Sequence, residues 1–106
     1  MKLDEIYKRL QKINIPIAYN HFRESVKPPY ITYYEDGGQN YGADCINLLR
    51  KRNVVINLFT KKKEPELEVQ IEKLINDFET DVSESYILDE DLVMITYKFE
   101  TIEKIR

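Results

Sequence analysis

The sequence is poor in the residues that build several common kinds of site. Among 106 residues it has one cysteine, Cys45, and one histidine, His21. A single cysteine cannot form an internal disulfide, which suits a reducing compartment. No group of cysteines and histidines has the spacing of a zinc site. Three glycines and four prolines are too few for long flexible linkers.

Long apolar runs are also absent. No stretch approaches the roughly 18 residues of a membrane span, and the opening MKLDEIYKRLQK lacks the apolar region of a secretory signal. Leu, Ile, Val and Phe nevertheless make up about 30% of the chain, above the roughly 20% below which charged chains stay disordered. We therefore expect a single domain over residues 1–106 with one modest core.

Charge is divided unevenly along the chain, whose net charge is −3. Residues 1–63 carry 12 Lys and Arg against 6 Asp and Glu, and residues 64–106 carry 4 against 13. Two interpretations follow. Copies of the chain could attract one another head to tail, or the two halves could interleave in the fold and neutralise each other.

Helical periodicity predicts two helices. The first covers about residues 2–13 and is ended by Asn14 and Pro16. The second opens at Glu64–Glu66, where proline and acidic residues suit a helix start, and runs to about residue 79. The apolar stripes that define these helices are Leu3, Ile6, Tyr7, Leu10 and Ile13, and then Leu67, Ile71, Leu74, Ile75 and Phe78.

Strand signals occupy most of the remaining chain. They are β-branched or aromatic segments, or show a period of two. The predicted strands are Ile17–Tyr19, Tyr30–Tyr34, Val54–Phe59, and a hairpin of Glu84–Leu88 and Leu92–Thr101 around the turn Asp89–Asp91. The order α-β-β-β-α-β-β favours an α+β fold, with a mainly antiparallel sheet packed against two helices, over a doubly wound fold.

Two segments read as loops. His21–Pro29 ends in a proline pair that forbids helix. Glu35–Gly42 holds all three glycines of the chain, so we expect it to be an exposed, mobile loop. The pattern of residues 43–49 is ambiguous, and Arg50–Asn53 fits either a turn or the start of a strand.

No constellation of residues points to catalysis or to a cofactor. Nothing in the sequence places His21 beside Cys45 or supplies an orienting group for such a pair. The acidic groups at Asp77–Asp81 and Asp89–Asp91 lack the spacing of a calcium loop, and Gly37-Gly38 lacks a phosphate-binding pattern. We therefore expect no catalytic residue, no metal and no cofactor, and interpret the chain as not an enzyme.

The basic and aromatic residues raise two kinds of partner for consideration, nucleic acid and protein. Arg50–Arg52, Lys61–Lys63 and eight tyrosines could hold single-stranded nucleic acid, but the sequence pI of about 5.2 opposes that interpretation. Tyrosines near the glycine-rich segment suit a surface later covered by a protein partner, although some of them should line the core. Nucleic acid and membrane are therefore not expected partners.

Six segments together resemble the small tail terminator proteins of bacteriophages and prophages, which complete the tail and join it to the head. The resemblance covers nearly the whole chain in the same order, although none of its motifs is catalytic. The segments are Met1–Tyr7, Ile15–Phe22, Pro28–Tyr33, Tyr41–Asp44, Val55–Glu68 and Tyr97–Glu100.

The resemblance implies a structural role. Proteins of this kind form a ring, commonly of six subunits, that caps the tail tube and meets the head connector, without enzymatic activity or cofactor. It implies three partners: further copies of the chain, the tail tube protein and the connector proteins. It also implies a place in the host bacterial cytoplasm during assembly and then at the tail–head junction of the virion. The alternative is a small intracellular protein-binding regulator.

The predicted loop and its flanks are our candidate docking surface. The hypothesis rests on the length and composition of the loop, which could become ordered on contact with tube or connector. The candidate residues are Tyr33, Tyr34, Glu35, Asp36, Gly37, Gly38, Gln39, Asn40, Tyr41, Gly42 and Asp44.

Overall fold

Two helices lie against one five-stranded sheet. A computed structural model describes residues 3–43 and 46–104, with side chains outside residues 39–48 and 104. The α+β class and the predicted order of elements are confirmed. The elements are α1 (Leu3–Leu10), a 3₁₀ helix (Gln11–Ile13), β1 (Ile17–Tyr19), β2 (Tyr30–Ala43), β3 (Ile46–Thr60), α2 (Pro65–Leu74), β4 (Thr80–Ile87) and β5 (Leu92–Lys104).

The strand order of the sheet is β1-β2-β3-β5-β4. β1 runs parallel to β2, and the other three pairs are antiparallel, so the mainly antiparallel sheet is confirmed. The first three strands in sequence lie on one side and the last two on the other. The sheet therefore keeps the N-terminal and C-terminal halves of the chain on opposite sides.

The core occupies one face of this sheet. Alternate residues of β2, β3 and β5 point to the same face, and the apolar stripes of both helices pack on them. The buried members of this core are Ile6, Leu10, Ile13, Ile31, Tyr33, Val54, Ile56, Leu58, Ile71, Ile75, Ile95, Tyr97 and Phe99.

The ends of the helices follow local backbone geometry. After α1 the chain tightens into the 3₁₀ helix, and Asn14 ends it in a left-handed conformation, with φ of 64°. α2 ends at Leu74 rather than near residue 79, because the chain turns there towards β4. The predicted stripe continues past the helix end, since Phe78 in that turn still stacks on Phe99 at 4.9 Å.

Arg9 joins the two helical segments. Its guanidinium donates to both carboxylate oxygens of Asp77, at 2.8 and 3.1 Å, and to the carbonyl of Leu74 at 2.8 Å. It also lies 5.5 Å from the ring centroid of Phe78. The hydrogen bond from Arg9 lowers the pKa of the Asp77 carboxyl below its usual 3.8.

β2 and β3 are much longer than the sequence predicted. Their pairing continues to Ala43 and Ile46, and β5 follows β3 as far as Lys104. We call this three-stranded extension, residues 36–43, 46–53 and 100–104, the arm. The molecule measures 51 × 27 × 22 Å. Of the ambiguous segment before the central strand, Ala43 ends β2 and residues 46–49 belong to β3, as do residues 50–53.

Shortening a side chain at the centre of the core should destabilise the protein strongly. Leu58 is fully buried on β3, and Leu58→Ala should lower the free energy of unfolding by about 2–5 kcal/mol, because the cavity is lined by rigid neighbours. Leu88→Ala is the matched control, since Leu88 is 82% exposed and should change it by less than about 0.5 kcal/mol. Urea denaturation followed by circular dichroism measures both, and equal losses would contradict this picture of the core.

The Arg9–Asp77 contact should make stability depend on pH in a defined range. Because the folded-state pKa of Asp77 is lowered, its contribution is present above the unfolded value and is lost as the pH falls through the folded one. The difference in unfolding free energy between the wild type and Asp77→Asn should therefore narrow as the pH falls below about 4. Urea titrations from pH 7 to pH 3 test this. The difference in unfolding free energy between the wild type and Arg9→Gln should narrow over the same pH range. A difference that stays constant with pH would refute the role of the Arg9–Asp77 contact.

Candidate interaction surface

The arm begins at a β-bulge in β2. The pairing passes from Glu35 opposite Val54 to Gly38 opposite Arg52, so two residues of β2 face one of β3. Gly37 takes a φ of 73°, and a Cβ on Gly38 would clash with the carbonyl oxygen of Lys51. Gly37 therefore provides the left-handed backbone of the bulge, and Gly38 allows β3 to approach closely.

The prediction of a mobile loop over Glu35–Gly42 is wrong, because these residues are paired with β3 as part of β2. Local composition favoured a loop, since the segment is polar and glycine-rich. Its backbone partners are residues 47–54 of β3, and the composition of the segment itself does not reveal them. A glycine pair inside a strand is a recognised sign of a bulge, and it is the signal that could have identified the arm.

Ion pairs hold the base of the arm together. Arg52 donates to Glu35 at 2.7 Å and to Glu103 at 3.1 Å, so it links β3 to β2 and to β5. Arg50 also contacts Glu35, at 3.2 Å. The side chains of Arg52, Glu35 and Glu103 are only 13%, 16% and 18% exposed. These residues continue the core face of the sheet, where charged pairs replace apolar packing.

The opposite face of the arm is more open. Lys51 contacts Glu100 at 2.9 Å, and Leu49 and Ile102 are exposed apolar residues on the same face. Lys51 lies opposite Ile102 in the register of β3 and β5. The arm is therefore a paired projection with one ion-paired face and one face that presents apolar groups to solvent.

The candidate docking residues do not form one loop. Tyr33 is only 8% exposed and lies against Tyr7 and Tyr19, with ring centroids 6.1 and 5.2 Å away, and burial raises its pKa. It is therefore a core residue rather than a surface one. Tyr34 is half-buried on the other face of β2.

The rest of the predicted set belongs to the arm or lies outside the described residues. Glu35 is in the ion-pair network, Asp36 is exposed, and Gly37 and Gly38 form the bulge. Gln39, Asn40, Tyr41 and Gly42 lie in the paired part of β2. Asp44 and Cys45 fall outside the described residues.

The interpretation that the two halves of the chain neutralise each other holds in part. Among the described side chains, seven ion pairs are formed, and five of them join a cation of residues 1–63 to an acid of residues 64–106. These pairs neutralise charge where the halves meet. The outer edge of the C-terminal half stays acidic overall, because residues 74–97 contain no lysine or arginine and Lys63 contacts only Glu84 of β4.

Most of the basic runs are occupied by these pairs. Arg50, Lys51 and Arg52 all contact carboxylates, and Lys63 contacts Glu68 and Glu84. A nucleic acid backbone would have to displace those carboxylates to use the same cations. The pairing therefore weakens the nucleic-acid interpretation further.

A groove on the face opposite the core holds the histidine. It has a volume of about 610 Å³ and lies between residues 20–29 and the backs of β2 and β3. His21 lines it, together with Phe22 and Tyr30, whose rings meet edge to face at 5.4 Å. No group of three His, Cys, Asp or Glu that could hold a metal occurs among the described residues.

One buried polar pair lies under α2. The Glu68 Oε2 atom and the Tyr97 hydroxyl have no hydrogen-bond partner within the described part of the chain. Burial, and then the charge of Glu68, raises the pKa of Tyr97. The hydroxyl therefore stays protonated at neutral pH and is not available as a base.

No family model and no curated protein matches this sequence. Neither of the two described helices has the length and apolar character that crossing a membrane requires.

Removing Arg52 should loosen the arm. Arg52→Met leaves two mostly buried carboxylates without their common partner, and should lower the free energy of unfolding by about 1–3 kcal/mol. The neighbouring Lys51→Met is the control, because its partner Glu100 is 59% exposed and such surface pairs contribute at most about 1 kcal/mol. Urea denaturation measures the loss, and amide hydrogen exchange should rise in the arm strands. Equal effects of the two changes would contradict the role of the network.

Proposed function

We propose that this chain is a structural assembly protein of the phage tail terminator type. In this proposal copies of it form a ring that caps a tail tube and joins it to the head connector. It works by contact alone, with no bond made or broken and no cofactor. The proposal starts from the sequence resemblance, which extends over nearly the whole chain in order.

The observation that carries the proposal is the division of charge across the sheet. A ring needs a heterologous contact, in which two different patches of one subunit meet on its neighbours. The strand order puts the basic half of the chain at one edge of the sheet and the acidic half at the other. Such a subunit offers two edges of different charge, as a heterologous contact requires.

The arm supports the same function in a second way. It is held by backbone pairing on both sides of β3 and by the Glu35–Arg52–Glu103 network. A pre-ordered projection can meet a tube or a connector with little loss of conformational entropy. Its open face presents Leu49 and Ile102, which are apolar groups that a partner could cover.

Shortening the arm should block particle assembly without unfolding the protein. Gln39 lies opposite Lys51, so residues 40–50 can be replaced by Asn-Gly, which forms a two-residue hairpin turn. In the phage or prophage that carries the gene, electron microscopy should show filled heads separate from tails. Circular dichroism of the purified variant checks that the body still folds.

Deletion of the whole gene is the broader test of function. It should give tails of abnormal length that are not joined to filled heads. Normal infectious particles from the deletion strain would reject the proposed function. Normal particles from the shortened-arm variant alone would reject only the part given to the arm.

A further inference from the structure

The outer edge of β4 is an open strand edge whose only charged side chains are acidic. β4 is the last strand of the sheet, and its pairing with β5 runs unbroken from Thr80–Phe99 to Ile87–Leu92. Natural edge strands are commonly protected by charged side chains, above all lysine, by proline or by a bulge. The sequence TDVSESYI of β4 has no lysine or proline, and its register has no bulge. It is therefore a regular template for another strand.

Apolar groups accompany this edge. Val82 lies opposite Tyr97 of β5, and Tyr86 lies opposite Val93. Both are therefore on the face of the sheet that carries the core, which the helices cover at the inner strands. At β4 they are 55% and 53% exposed, and Leu88 in the following turn is 82% exposed. An arriving strand would therefore gain apolar contact as well as backbone hydrogen bonds.

The charge at this edge excludes a symmetric partner. Six exposed acids lie on or beside β4, namely Glu79, Asp81, Glu84, Asp89, Glu90 and Asp91. Two cations face them, since Lys63 contacts Glu84 and Lys98 lies opposite Asp81, so the acids stay in excess. Two copies of β4 paired about a two-fold axis would set acid against acid. The strand that pairs here must come from a surface with positive charge.

The opposite edge of the same sheet is the candidate for that surface. β1 is the strand at that edge, and the segments that flank it in the chain carry four exposed cations against three exposed acids, Asp4, Glu5 and Glu24. No ion pair within the described ranges holds any of the four cations. These cations are Lys8, Lys12, Arg23 and Lys27.

We propose that the β4 edge of one copy pairs with the β1 edge of a second copy, which continues the sheet from subunit to subunit. In the proposed function, this contact is the interface between subunits of the ring. The proposed contact rests on that function only for its biological role. Each added copy leaves one acidic edge and one basic edge free, so the association closes if the rotation between copies allows a ring. Because charges steer the contact, added salt should weaken it.

Sedimentation of the purified chain with two matched variants tests the contact. Val82→Lys with Ser83→Lys places cations on the β4 edge opposite the uncharged Tyr97 and Thr96, and should weaken self-association at least tenfold while leaving urea denaturation nearly unchanged. Val69→Lys is the control, since Val69 is an equally exposed valine, at 47%, on α2. A wild-type chain that stays monomeric at millimolar concentration and low salt, or an edge variant that associates like the wild type, would overturn the proposal.

A mixing experiment tests which two edges meet. Arg23→Glu with Lys27→Glu impairs the basic edge, and this variant should also be monomeric alone. Mixed with the β4-edge variant it should restore association at one-to-one stoichiometry, because each variant supplies the edge that the other lacks. Self-association of the basic-edge variant by itself would indicate symmetric β4 pairing and would overturn the proposal.

The same variants separate this contact from the proposed function. If the β4-edge variant loses association in solution but still gives joined particles, the contact stands and the ring function fails. If particles need the gene but the β4-edge variant associates like the wild type, the function stands and the contact is wrong.

Discussion

The pairing of β3 with both of its neighbours is the interaction on which the rest of the structure depends. β3 lies opposite β2 from Tyr30–Phe59 to Ala43–Ile46, and opposite β5 from Thr60–Val93 to Leu49–Lys104. It thereby attaches the N-terminal strands on one side and the C-terminal strands on the other. The core face, the arm and the separation of charge all follow from this central position.

Apolar periodicity made the body of the fold predictable. The stripe of α1 and the alternation in β5 both mark side chains that are buried on one face, and the structure confirms them. The arm had no such signal, because its inward face is held by Glu35, Arg52 and Glu103 rather than by apolar groups. Tyr33 shows the converse, since an aromatic residue that suits an interface is used in the core.

The strand order shows how the basic and acidic halves of the chain are arranged in space, which the sequence left open. The count of acids and bases is the same whether the halves interleave or separate, and only the sheet topology distinguishes the two. In this fold the halves meet along a seam between β3 and β5, where ion pairs such as Lys51–Glu100 form. Beyond that seam exposed acids lie along the β4 edge, and the segments that flank β1 carry more exposed cations than acids; the proposed contact between copies rests on this separation.

The bulge makes the direction of the arm independent of its backbone pairing with β3. Gly38, and not Gly37, lies opposite Arg52, and the register beyond it is regular as far as Tyr41. Loss of Gly37 alone would put Asp36 opposite Asn53 and keep the downstream partners from Gly38 to Tyr41. What would change is the extra twist that a bulge adds to its strand. Insertion or deletion of the single residue Gly37 would therefore change the direction of the arm while the backbone pairing from Gly38 to Tyr41 is kept.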